Sequence, residues 1–93
     1  MTTPARERAT EALLAYHRQL EEFQQAWGAE VGAWLAWTTM ASERGPSDPD
    51  VVELREAWMV ALRRRYLAAG PLNVAGMDLN DAVRAVEQEV LHG

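Results

Sequence analysis

The chain has no cysteine and no lysine, and it carries only two histidines. Without cysteine there is no disulfide framework and no thiolate metal site to brace a small fold. Without lysine, all nine cations are arginines, set against 14 acids for a net charge of -5. That balance opposes non-specific attachment to nucleic acid or anionic lipid, both of which need a basic field. Glycine and proline are sparse, at six and four residues, while 48% of the chain is hydrophobic, which argues against intrinsic disorder. No uninterrupted apolar run approaches the length of a membrane span. The most apolar window, Ala26 to Ala41, contains Glu30 and is read as a buried core helix. The first residues show no apolar leader followed by a cleavage site, so the expected location is the cytoplasm. Arginine used without any lysine points to a GC-rich bacterial or phage genome.

Ninety-three residues suit one domain, read as a single helical domain over residues 1–93. From about Ala5 to Ala41 there is no proline, and Ala9, Leu13, Tyr16, Leu20, Phe23, Trp27, Val31, Trp34 and Thr38 recur at steps of three and four. On a helical wheel they fall within an arc of about 80°, so the spacing predicts an amphipathic helix over about 5–41. The chain then breaks at Ser42 to Ser47, and Asp48-Pro49 supplies a cap with proline in the first helical turn. A second helix is expected over about 49–69, closed by Arg63, Arg64 and Arg65 at its negative end and by Gly70-Pro71. After an apolar loop over residues 72–77, expected to dock on the core, Leu79, Val83, Val86 and Val90 predict a third helix over about 79–91.

The expected architecture is all-α: a long N-terminal helix in an antiparallel hairpin with the second, and a shorter third helix packing across. The first helix outreaches the second by some 16 residues, leaving Leu13, Tyr16, Leu20 and Phe23 with too little cover. Gly28, Gly32 and Ala36 form a groove of small residues on another face of the first helix, open to the third helix or to another chain. Val60 and Leu67 form an apolar patch on the back of the second helix. These nine residues are the candidate contacts for a partner, either a second copy in a homodimer or a different protein. Arg55 and Arg65 fall inside the main apolar arc of the second helix, and Glu30 is the nearest acid, so a buried ion pair that fixes register is expected among them.

Chemistry finds little foothold. His17 and Glu21 have the spacing of two ligands on one helical face, but no second cluster completes a site, so no metal and no cofactor is expected. No nucleotide-binding loop, zinc-protease motif or nucleophile elbow is present, and catalytic residues are assigned to none. The triplet Arg63, Arg64 and Arg65 supports an alternative as a small nucleic-acid-associated subunit. A long, a medium and a shorter helix in about 90 residues also resemble the AroQ-type chorismate mutases. That resemblance implies an intertwined dimer that holds a dicarboxylate through arginine and lysine, aided by a Glu and a Gln. Arg55, Glu56 and Gln88 are the positions that echo this set, whereas the first helix carries no cation between Arg18 and Arg44. The preferred reading is a non-catalytic protein-protein interaction module, acting as a regulator, inhibitor or subunit of a larger assembly, and self-associating.

Overall fold

A computed structural model describes residues 2–92. They form two helices, α1 (Pro4–Arg44) and α2 (Pro49–His92), folded into an antiparallel hairpin 67 Å long and 18 by 14 Å across. The radius of gyration is 20.5 Å, against about 12 Å for a compact domain of this length.

Local chemistry sets the ends. Thr3 caps α1: its hydroxyl accepts from the Arg6 N–H at 3.3 Å and donates to Glu89 at 3.0 Å, clipping the two ends of the hairpin together. At the turn, Gly45 adopts φ 86°, a backbone region that disfavours any residue with a Cβ, and its N–H bonds to the Ala41 carbonyl at 2.9 Å. The Asp48 carboxylate accepts from the Asp50 N–H at 2.9 Å, so α2 starts where Asp48-Pro49 predicted. Arg44 and Asp50 close the loop with an exposed ion pair at 2.9 Å.

The helix expected to stop at residue 69 does not stop. There is no loop over 72–77 and no separate third helix over 79–91, because α2 runs unbroken through Gly70 and Pro71 to His92. Proline inside a helix removes one hydrogen bond and crowds the carbonyl four residues back, at a cost of about 3 kcal/mol. Here both Pro71 and Leu67, whose carbonyl loses its donor, lie on the exposed side of α2, where water can solvate that carbonyl. Favourable packing continues on the opposite side. Val51, Leu54, Trp58, Ala61, Arg65, Ala68, Leu72, Ala75, Leu79, Ala82, Val86 and Glu89 alternate steps of three and four without a slip, and each is buried or half-buried. Residues 72–89 can keep this register only by staying helical.

The matching row on α1 is Ala5, Ala9, Ala12, Tyr16, Gln19, Phe23, Ala26, Glu30, Ala33, Trp37 and Met40, again buried or half-buried throughout. Both rows repeat every seven residues, the period of a left-handed two-helix supercoil, which drifts about 20° per repeat on a straight-helix wheel. Alanine supplies nine of these 23 seam positions, and the buried described residues are Ala26, Val51, Ala75 and Ala82. Small side chains let the backbones approach closely. Because α2 is as long as α1, it reaches the N-terminal part of α1 that was expected to lack intramolecular cover. Tyr16, Leu20 and Phe23 are half-buried there, and Leu13 stays exposed.

A candidate interaction face

Two sides flank the seam, and they differ. On one, Arg8, Glu11 and Ala15 of α1 face Pro71, Val74 and Asp78 of α2 across a shallow groove, and Glu22 and Gln25 border another with Arg64. This side is mixed in charge and small in side-chain size. On the other, Leu13, Leu20, Trp27 and Trp34 stand in a column at intervals of seven next to the α1 seam. The corresponding α2 column is Arg55, next to the loop, then Leu62, Ala69, Gly76, Val83 and Val90. Antiparallel pairing puts both columns on the same side of the hairpin. Tyr16 confirms the register, since its ring lies where a Cβ on Gly76 would meet it at 3.5 Å.

The side with these two columns is apolar along most of its length and uncovered. Trp27 is 53% exposed, Leu13 44%, Trp34 43% and Val83 40%. It broadens toward the loop end, where Val31, Met59 and Tyr66 are exposed beside it. Trp34 also anchors an aromatic cluster, 5.4 Å from Trp37 and 5.2 Å from Trp58, while Trp37 and Trp58 stack at 5.2 Å. The cluster encloses the Trp58 indole nitrogen, which finds no acceptor. Leaving such a donor unpaired costs about 1–3 kcal/mol.

The apolar arc predicted for α1 overlaps this uncovered side more than it overlaps the seam. Its centre is rotated about 70° from the mean direction of the row that touches α2. Gly28, Gly32 and Ala36 lie elsewhere, on exposed surface of α1, and a Cβ added at Gly28 or Gly32 would meet nothing within 4 Å. No third helix fills that groove. Val60 and Leu67 are 70% and 66% exposed on α2, and Val74 extends their column.

Among the charged candidates, Glu30 and Arg65 meet inside the seam, with Arg65 Nη2 3.8 Å from Glu30 Oε1. Arg55 is exposed and outside this pair. Arg63, Arg64 and Arg65 sit mid-helix rather than at the C-terminus expected for them, so they do not complement the end of the helix dipole. They also diverge: Arg65 turns into the seam, Arg64 borders Glu22 and Gln25, and Arg63 lies next to Met59 and Tyr66. Arg55 and Gln88 are separated by about 50 Å along one helix, so Arg55, Glu56 and Gln88 do not converge on a common ligand. His17 and Glu21 are both solvent-exposed, and no trio of metal-ligating side chains gathers among the described residues. No helix among them is long and apolar enough to cross a membrane.

The seam was overlooked in the sequence because alanine contributes little to an apolar wheel and because Gln19, Glu30, Arg65 and Glu89 occupy it. A count at period 3.5 rather than 3.6 would have found it. No protein-family model, curated protein or solved structure matches this chain.

Proposed function

We propose that the protein is a helical interaction module that docks a protein partner along the tryptophan-bearing side of the hairpin. The carrying observation is a column of large apolar side chains that the seam leaves uncovered: Trp27, Trp34, Leu13 and Val83 face outward, each 40% exposed or more. Large apolar side chains held in water are unfavourable by about 25 cal/mol per Å² relative to burial. Surface area tells the same story. A compact monomer of 10.4 kDa exposes about 5,400 Å², whereas this chain exposes 7051 Å². The excess of roughly 1,600 Å² is about twice the 800 Å² or so that one partner contributes to a standard protein-protein interface. Such a module serves as a regulator, an inhibitor or a subunit of a larger assembly, with the bound surface as its working part.

The test is a comparison of tagged variants in the native host. Trp27→Glu should abolish specific co-purification of partner chains, including untagged copies of the protein itself, while Val60→Glu on the other side of α2 should leave it intact. Retention of the same partners by Trp27→Glu would show that the docking surface lies elsewhere.

A further inference from the structure

We infer that the tryptophan-bearing side is covered by a second copy of this chain, related by a twofold axis along the hairpin, so that both loops lie at the same end of a four-helix bundle. The inference rests on the docking role proposed for that side and specifies its occupant. Three features support it: area, relief and the gradient of polarity along the side.

An unpartnered side 67 Å long and 14 to 18 Å wide has a footprint of roughly 900 to 1,200 Å², above the about 800 Å² per partner of a stable interface. A second hairpin has the length to cover all of it.

The relief is self-complementary. At successive levels along the hairpin Leu13 stands beside Val83, Leu20 beside Gly76, Trp27 beside Ala69 and Trp34 beside Leu62, a register fixed by the Tyr16–Gly76 and Glu30–Arg65 contacts. In the middle levels α1 is a ridge and α2 a trough. A half-turn about the long axis lays α1 of each copy on α2 of the other, so Leu20 and Trp27 enter the trough at Gly76 and Ala69. All neighbouring helices are then antiparallel, as in up-down bundles. A half-turn about the crosswise axis would instead set ridge on ridge and leave the two troughs facing each other.

The rims decide in the same direction. Near the open end, His17 and Gln24 of α1 lie level with Asn80 and Asn73 of α2, all polar and exposed. Near the loop, Val31 lies level with Tyr66, and both are apolar and exposed. With loops together, polar rim meets polar rim and apolar meets apolar. With loops apart, Val31 would face His17, and Tyr66 would face the two asparagines.

Sedimentation of the purified full chain at about 50 µM, within the usual range for a stable complex, should give twice the 10.4 kDa chain mass, about 21 kDa. Trp27→Glu should raise the dissociation constant by about 30-fold or more with helix content unchanged, the loss expected at a central anchor, and Val31→Glu on the rim should raise it by a smaller factor of about 5-fold. Val60→Glu should not. Because the chain lacks cysteine, a single spin label at Ser47→Cys reports the orientation. Labels within about 30 Å are expected for adjacent loops, against about 60 Å or more if the loops sit at opposite ends of a 67 Å assembly. A folded monomer, a dimer broken by Val60→Glu but not by Trp27→Glu, or widely separated labels would each overturn the inference. A monomer would leave the docking role standing or falling on the co-purification comparison alone.

Discussion

The seam and the side next to it both carry apolar side chains, but only the seam buries them. Along the seam, alanines at positions such as 26, 75 and 82 are buried beside larger residues such as Trp37, Trp58 and Leu72. One column away, Trp27, Trp34 and Leu13 are 53%, 43% and 44% exposed. Trp34 packs partly inside the hairpin, against Trp37 and Trp58, while the exposed surfaces of Trp27 and Leu13 can be buried only against something outside it. The difference places intrachain cohesion in one stripe and, on the function proposed above, interchain recognition in its neighbour.

The strongest test of that division places a charge on each stripe. Ala82 has no exposed surface. Ala82→Glu should cost about 3–5 kcal/mol, the penalty for an unpaired buried charge, and should abolish most of the helical circular dichroism signal at 25 °C. Trp27→Glu should keep that signal and lose only association. If the two variants behaved alike, the stripes would not be separate in function. If Trp27→Glu alone unfolded the chain, the outward side would be a core element.

Pro71 tests whether the seam holds the second half of α2. Its side chain is exposed and its ring interrupts the hydrogen bonding of an otherwise continuous 44-residue helix. Pro71→Ala restores the bond to the Leu67 carbonyl and should stabilise the fold by about 2–3 kcal/mol. For a chain of this size that raises the midpoint of thermal unfolding by roughly 10 °C or more, measured at one fixed protein concentration because association adds to stability. No change would mean that the helix is already broken at this point in solution.

Pro71 also marks the limit of what the sequence discloses about the fold. The start of α2 was legible because Asp48 and Pro49 act locally, through one carboxylate bond and one fixed φ. The long first helix was legible from its unbroken periodicity, although it extends to Arg44 rather than 41. The continuation of α2 was not, because Gly70-Pro71 is a strong local stop signal. It is overridden by contacts with residues more than 50 positions away, such as Tyr16 over Gly76. With the stop removed, the expected third helix and the bare end of α1 vanish together. The candidate face was half legible: Leu13 and Leu20 were expected as contacts, but Trp27 and Trp34 of the same arc were assigned to the core because alanine carries so little weight on a wheel. The meeting of Glu30 with Arg65 across the hairpin depends on register, which two wheels drawn separately do not contain.

The smallest expected effect separates the tryptophan-bearing side from the remaining exposed surface of α1. Gly28 and Gly32 lie mid-helix with open space around the position of an added Cβ. If the second copy covers only the tryptophan-bearing side, Gly28→Ala and Gly32→Ala should each stabilise the helix by about 0.8–1 kcal/mol through propensity alone. Both should leave the sedimentation profile unchanged. A partner helix seated in the small-residue groove would be pushed away by a methyl group at either position. Association would then weaken even as the isolated helix gained stability. Urea unfolding and sedimentation of the double variant therefore answer different halves of one question. Added stability with undiminished association keeps recognition on the tryptophan-bearing side, and added stability with lost association moves it to the glycine groove.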